Sequence, residues 1–444
     1  VIKIFYINKE TELTAAHIIK FIDSFKLQFL PRLKKLDRYY RNENDIKSRT
    51  FADTTKPNNK IAHSWGNYIT DSMTAFFIGE PVSYSGADAD LELLQYIFND
   101  NDEQDLNSQL EKDCSIFGVA YELQYLDENA DLKLAKLSPL NTICIYDDTV
   151  NSNLLYVIRF NEVANILDDK TVTYVTLYSD KNIREYKIAD SKVLEQLGED
   201  KTHNFILVPV SIYKNNDEML GDFELVIDLI DFYDRLESDT ANAFDYYNDC
   251  YMVFTGATLP DDIQTMKENR LLEVPENGTV SFLTKNAIDT EQENAKNRIV
   301  NDIHKYSRVP NMSDENFANN VSGVAMKYKL LGLENVCSIK ERKFKKGLQN
   351  RLWLISNILN LKTGTSLQDV KITFKRNIPQ NETEIAELIN NLRGLLSSET
   401  LISQLSFVED AKAELEKLQE EQALNSYDDL FHEHTEEESE EEEK

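Results

Sequence analysis

Cysteine is scarce in this 444-residue chain: Cys114, Cys144, Cys250 and Cys337 lie far apart, and none forms a CxxC pair. Four such thiols, with no secretory leader in view, argue against a disulfide framework and fit a reducing cytoplasm. Apolar runs approaching the roughly 20 residues that span a bilayer are also missing, so no membrane partner is expected. The glycine-rich phosphate loop of an ATPase and the GxGxxG of a dinucleotide site are absent, which leaves no motif for nucleotide hydrolysis. The six histidines, His17, His63, His203, His304, His432 and His434, are not spaced with cysteines as zinc ligands, and no cofactor or metal is expected. Basic charge is in deficit as well, 48 Lys and Arg against 78 acids. The resulting net charge of −30 and pI near 4.6 argue against adhesive binding to nucleic acid or anionic membrane, though not against DNA passing nearby. The chain opens on Val1, and nothing is drawn from its extreme N-terminus.

What is present is ordinary for a globular protein: 41% apolar and 10% aromatic residues, in a length that suits two to four compact units. From Glu409 to Lys444 sixteen acids face three lysines, a net of −13 that leaves −17 for the rest. The closing "HTEEESEEEEK" cannot bury apolar surface and is expected to be a disordered, solubilising tail over 426–444.

The first quarter reads as helical. Ile18, Ile19, Ile22, Phe25, Phe29, Leu33 and Leu36 form an amphipathic stripe with a bend at Pro31, and a second helix is expected from Ile61 to Phe77, stopped by Gly79 and Pro81. Between Gly118 and Ile212 short β-branched and aromatic runs separated by Asp, Asn and Gly predict a mostly antiparallel sheet with the helices packed on it. A long helix follows over 222–251, with Asp222 as its cap, an apolar stripe through Phe223, Ile230, Leu236 and Phe244, and acids on the opposite, wet face. Next come a small strand-like unit too short to fold alone, a helix over 290–307 with Ile299, Ile303 and Tyr306 on one side, and a helical region from Val324 to Leu359 interrupted by Gly332 and Gly347. "VKITFKRNIP" reads as a strand returning to the earlier sheet. Two leucine-striped helices, 382–397 and 399–423, close the ordered part.

Between the helices lies "VPNMSDENFANNVSG". Its four asparagines, with serine and acids, compete with helical hydrogen bonding and predict a loop. "KERKFKKGLQNRLW" supplies Lys340, Arg342, Lys343, Lys345 and Lys346, the densest basic cluster in an acidic chain. Catalytic constellations are weak. Ser322 and Lys327 lack the spacing of a Ser–Lys nucleophile. The acids Asp222, Glu224, Asp228 and Asp231 could be drawn as a two-metal nuclease centre, but carboxylates opposite an apolar stripe more commonly make a solvated helix face.

Three blocks, "KPNNKIAHSWGNYITDSMTAFFIGEPVSYSG", "GDFELVIDLIDFYDRLESDTANAFDYYND" and "YSRVPNMSDENFANNVSGVAMKYKLLGLENVCSIKERKFKKGLQNRLWLI", resemble the portal proteins of tailed bacteriophages, in particular the siphophage portal family of Gram-positive hosts. They cover about a quarter of the chain, and none is a catalytic signature.

The resemblance implies an α+β portal fold assembled as a ring of about twelve copies at one capsid vertex of the virion, built in the host cytoplasm. It implies a wing over 1–220, stem helices over 221–256 and 288–307, a clip over 257–287, a tunnel loop over 308–323, a wing helix and returning strand over 324–378, and a helical crown over 379–425. Double-stranded DNA would pass through the channel, driven in by a separate terminase ATPase and ejected later, with head-completion (adaptor), major capsid and scaffolding proteins as further partners. The protein itself would not be an enzyme. On this pattern Asn311, Ser313, Asp314, Glu315, Asn316, Asn319 and Asn320 would face the DNA, with Pro310 and Gly323 as loop hinges. The basic cluster would pair with neighbouring subunits or touch DNA. The rivals are a metal-dependent nuclease and a non-viral helical scaffold.

Overall fold

The computed structural model describes residues 5–165, 170–188, 193–248, 252–255, 278–282, 289–312, 323–363, 367, 369–377, 382–403, 405, 408, 411 and 414–421. The chain divides into two units, one of Val1–Asp314 with Lys329–Asn377, the other of Glu315–Tyr328 with Ile378–Lys444. Among the described residues no helix is long and apolar enough to cross a membrane.

Helix α1 (Ala15–Gln28) starts where the Thr14 hydroxyl accepts from the His17 amide while His17 Nδ1 accepts from the Thr14 amide, a reciprocal cap. Pro31 does not bend this helix. It sits in the first turn of a new one, α2 (Leu30–Tyr40), where its missing N–H costs nothing. Helix α3 (Trp65–Ile78) begins four residues later than its apolar pattern suggests. The reason is tertiary: the amides of Asn59, Ile61 and His63 donate to Asn242, Ser238 and Asp234 side chains, which hold 59–63 out of helical geometry. Helices α4 (Asp88–Asp100) and α5 (Glu103–Phe117) follow. Gly118 ends α5 at φ +85°, and a Cβ there would lie 1.9 Å from the Met219 carbonyl oxygen, so only glycine fits.

The expected sheet is two sheets. Strands β3 (Val119–Leu126), β4 (Leu132–Leu137) and β11 (Val210–Lys214) form an antiparallel sheet in the order β11-β3-β4. A seven-stranded sheet holds β1 (Phe5–Ile7), β5 (Thr142–Asp147), β6 (Leu154–Asn165), β7 (Lys170–Tyr178), β8 (Asn182–Ile188), β9 (Leu194–Gln196) and β10 (Lys201–Thr202). Its pairings are antiparallel except for β1 on β5. The run "KLAKLSPLNTICIYD" reads as one stretch, yet Pro139 cannot donate to a ladder and biases Ser138, so β4 and β5 separate into different sheets. Leu123, Leu137 and Val210 from the smaller sheet share a core with Val157 and Tyr178 from the larger.

The returning segment also differs from expectation. Strand β14 (Lys371–Thr373) pairs antiparallel with β2 (Ser83–Ser85), outside both larger sheets. Helix α6 (Ile227–Asn248) is preceded by a 3-10 turn, Glu224–Val226, so Asp222 does not cap it. Strands β12 (Met252–Thr255) and β13 (Thr279–Phe282) pair antiparallel, and the former lies where the clip's neighbouring stem had been expected. Residues 256–277 of that unit, and the tail 426–444, are outside the described residues.

Helix α7 (Asp289–Ser307) buries Ile299 and Ile303 but leaves Tyr306 59% exposed. Helix α8 (Gly323–Thr363) runs 41 residues without interruption. Gly332 and Gly347 are inside it, for different reasons: a Cβ on Gly332 would meet open space, whereas one on Gly347 would lie 2.4 Å from the Tyr213 ring. In the second unit, α9 (Glu382–Leu392) and α10 (Ser398–Ile402) are shorter than expected, residues 414–421 are helical again, and of the leucine stripe Leu388, Leu395 and Leu418 are exposed.

The two glycines give a paired test. Gly332→Ala should raise unfolding stability by up to about 1 kcal/mol through helix propensity alone. Gly347→Ala should lower it by roughly 1–3 kcal/mol, because overpacking against Tyr213 outweighs that gain. Urea unfolding of both variants checks the sign.

Candidate functional site

Helix α7 runs back along α6 until its end reaches the 224–226 turn. Lys296 of α7 bridges Glu237 of α6 at 3.2 Å and Glu293 of its own helix at 3.0 Å. The first turns near α6 bury Phe223, Val226, Ile227 and Ile230 as expected, but further along the apolar stripe turns outward, with Phe244 62% exposed. The buried positions are instead Asp234, Ser238 and Asn242, one every four residues. They serve the extended segment before α3. Asp234 accepts from the His63 amide at 3.0 Å, from His63 Nδ1 at 2.8 Å and from Asn44 Nδ2 at 2.6 Å.

The acids of this region are only in part a wet face: Asp228 and Asp239 are exposed, while others are drawn into contacts. Glu224 pairs with Arg32, Asp231 accepts from the Tyr39 hydroxyl, and Asp239 pairs with Arg49 at 2.7 Å. Asp222 goes elsewhere, to Lys340. Asp222, Glu224, Asp231 and Asp239 thus go to four separate partners, Asp228 is exposed, and among the described residues no three His, Cys, Asp or Glu side chains gather as metal ligands.

Of the loop, Pro310 and Asn311 are described; Ser313, Asp314, Glu315, Asn316, Asn319 and Asn320 lie outside the described residues, and Gly323 begins α8. The root of the loop is well defined. Arg308 adopts φ +61°, a left-handed turn that side chains resist, and Val309 behind it is fully buried.

The basic cluster divides. Lys340 is 2% exposed, with Nζ 2.5 Å from Glu111 and 2.6 Å from Asp222. Asp222 also accepts from the Ser115 hydroxyl at 2.6 Å and Asn215 Nδ2 at 2.8 Å. The charge of Lys340 is thus neutralised inside its own chain, and contact with a neighbour or DNA does not extend to it. Lys343 pairs with Asp217, Lys345 donates to the Ile372 carbonyl at 3.0 Å, and Arg342 donates to the Ser338 carbonyl at 3.2 Å. Lys346 is exposed and, with Lys343, acts on nearby Lys214, whose pKa is lowered by burial first and by these like charges second.

Burial alone would lower the Lys340 pKa, but Asp222 and Glu111 outweigh it and raise it, so the ammonium stays charged. Glu111 moves the other way for a carboxyl: burial pushes it up to about 7 against the pull of Lys340, with the Asp222 charge adding to the rise. One signal of the buried site was present in the sequence. Lys340 and Arg351 fall on the same three- and four-residue spacing as Leu333, Cys337, Phe344, Leu348 and Ile355, all buried.

A family model described as "Phage portal protein, SPP1 Gp6-like" matches residues 19–426, and the chain belongs to that family, whose members are structural virion components that assemble as rings. It is 27% identical over 434 residues to the portal protein of Bacillus phage SPP1, covering 90% of this chain and 85% of that one. The portal protein of Clostridium phage phiCD119 is 24% identical over 411 residues, covering 86% and 90%. Among solved structures, a chain in the neck of a native gene transfer agent (GTA) particle computed with C12 symmetry superposes at TM-score 0.50 with 11% identity, covering 85% of this chain and 93% of that one. A chain from the virion of a native GTA particle does so at 0.50 and 11%, covering 87% and 97%. These two likenesses concern the fold.

Removing the buried cation tests the electrostatic account. Lys340→Met should cost about 3–5 kcal/mol near neutral pH, because Glu111 and Asp222 are left buried without a counter-charge. Glu111 already has a folded pKa near 7 against an ordinary 4.5, so folding takes up a proton; that contribution is fully present below 4.5 and lost as the pH rises through 7. Without Lys340 the folded pKa rises further, and the deficit should shrink as the pH falls. Unfolding followed from pH about 8 to about 5 reads this, and a deficit that ignores pH would contradict it.

Proposed function

We propose that this chain forms the ring through which double-stranded DNA enters and leaves a phage head, with twelve copies around one capsid vertex. The observation that carries the reading is the family membership across residues 19–426. The α6–α7 pair, with the paired strands β12 and β13 between its two helices in the chain, has the order of stem, clip and stem. The remaining assignments follow: wing over 1–220 and 324–378, crown over 379–425, tunnel loop over 308–323.

Physical chemistry supports a channel that does not grip. Strong lysine–phosphate contacts would act as brakes on translocation. In this chain the most buried cations, Lys340 and Arg351, are paired internally, and net charge is −30. Asn311, Ser313, Asn316, Asn319 and Asn320 would offer weak, exchangeable hydrogen bonds to moving DNA, with Asp314 and Glu315 repelling phosphate. Lys346, exposed beside Lys343, has neighbouring-subunit carboxylates as its natural partner. No chemistry is asked of the chain itself; a separate terminase supplies the work of packaging, and adaptor, capsid and scaffolding proteins meet the ring from outside.

Shortening the loop between Met312 and Asn320 tests the reading. Rings should form with unchanged mass while DNA packaging falls, measured as the ratio of filled to empty heads. Normal packaging by the shortened variant would contradict the channel-lining assignment.

A further inference from the structure

Two residues from distant parts of the chain hold the backbone where it leaves α7. The Tyr68 hydroxyl, on α3, donates to the Pro310 carbonyl at 3.2 Å and accepts from the Met312 amide at 3.3 Å. His304, in the last turn of α7, donates from Nδ1 to the Val309 carbonyl at 2.9 Å. A carbonyl can only accept, so this contact fixes the proton on Nδ1. The Val309 amide in turn donates to the Ser307 hydroxyl at 3.4 Å. Three successive backbone segments are thus bound by side chains at a point where regular secondary structure has ended.

The rings are locked as well. His304 meets Trp65 edge-on at 5.2 Å and Tyr68 at 5.9 Å, and Trp65 meets Tyr68 at 6.0 Å. A cavity of about 450 Å³ lies beside them, lined also by Tyr233, Val300 and Asn311. Packing alone would therefore let the root shift, and the hydrogen bonds to Tyr68 and His304 are what oppose it. The left-handed Arg308 points the same way, since such a conformation persists only where its surroundings over-determine it.

We infer that Tyr68 and His304 are positioning residues that latch the root of the loop at Val309–Met312 and set the direction in which the chain departs toward the channel. The inference rests on the channel reading above for its functional half; the latch itself does not.

The test is Tyr68→Phe in the assembled protein. This change keeps the ring packing and removes only the hydroxyl. Hydrogen–deuterium exchange at the Met312 amide should quicken about fivefold, the loss of one ordinary hydrogen bond, while the amides of α3 keep their rates. Phage made with the variant should show unchanged ring mass and a loss of filled heads relative to empty ones. Unchanged exchange at Met312 would overturn the latch. Faster exchange with normal packaging, while the shortened loop blocks packaging, would overturn its positioning role. If the shortened loop also packages normally, the channel reading has failed, and exchange at Met312 decides the latch alone. His304→Phe, which keeps an aromatic ring and removes the donor to Val309, provides a second variant with the same expectation.

Discussion

Two buried cations on one face of α8 hold the first unit's helices and smaller sheet together. Arg351, fully buried, reaches Glu103 at 2.6 Å and Glu122 at 3.0 Å; Lys340, three helical turns earlier, reaches Glu111 and Asp222. Glu103 opens α5 and Glu111 lies about two turns further along it, so the two contacts fix α5 and α8 antiparallel and in one register. Glu122 brings in β3, and Asp222 brings in the approach to α6. The carboxylates are further tied by the Tyr84 hydroxyl on Glu103 and the Tyr213 hydroxyl on Glu122, each at 2.6 Å. Buried pairs of this kind add little net stability over apolar packing, but breaking one leaves a charge that nothing solvates. A slip of the long helix by one turn would strand both cations at once. Register, more than stability, is what they confer.

The same logic runs along α6. Its buried stripe of Asp234, Ser238 and Asn242 binds backbone donors of 59–63 that would otherwise go unpaired beneath the helix. Those bonds place α3, and α3 carries Tyr68 and Trp65 to the end of α7. A line of polar contacts thus connects the middle of one long helix to the root of the loop after the other.

Much of this was legible in residue pattern, and the exceptions share a cause. The helices with apolar stripes were found, as were most strands, because period and turn chemistry are local. What pattern could not reveal was polar burial. Glu224 and Asp231 read as solvent-facing, and Lys340 as part of a basic cluster open to a neighbour or DNA, because a charged side chain is ordinarily outside unless a partner distant in sequence neutralises it. Glu111 lies 229 residues from Lys340, and nothing local announces it. The division into two sheets has a smaller cause: "KLAKLSPLNTICIYD" reads as one run by composition, and Pro139 splits it. Of the candidate loop, the root at Pro310 and the start of α8 at Gly323 are placed, while of the partners that hold that root Tyr68 sits inside a block that carries only family resemblance and His304 lies two residues before another.

The central claim is that the chain works as a ring with DNA passing through it, so its acidic composition and internally paired cations are properties of a channel wall. Electron microscopy of the purified assembly, viewed down its symmetry axis, tests this most directly. The account predicts a closed ring of about twelve copies around an open channel wide enough for a DNA duplex. A particle of one or two chains with no central opening, under conditions where phage heads assemble, would contradict it.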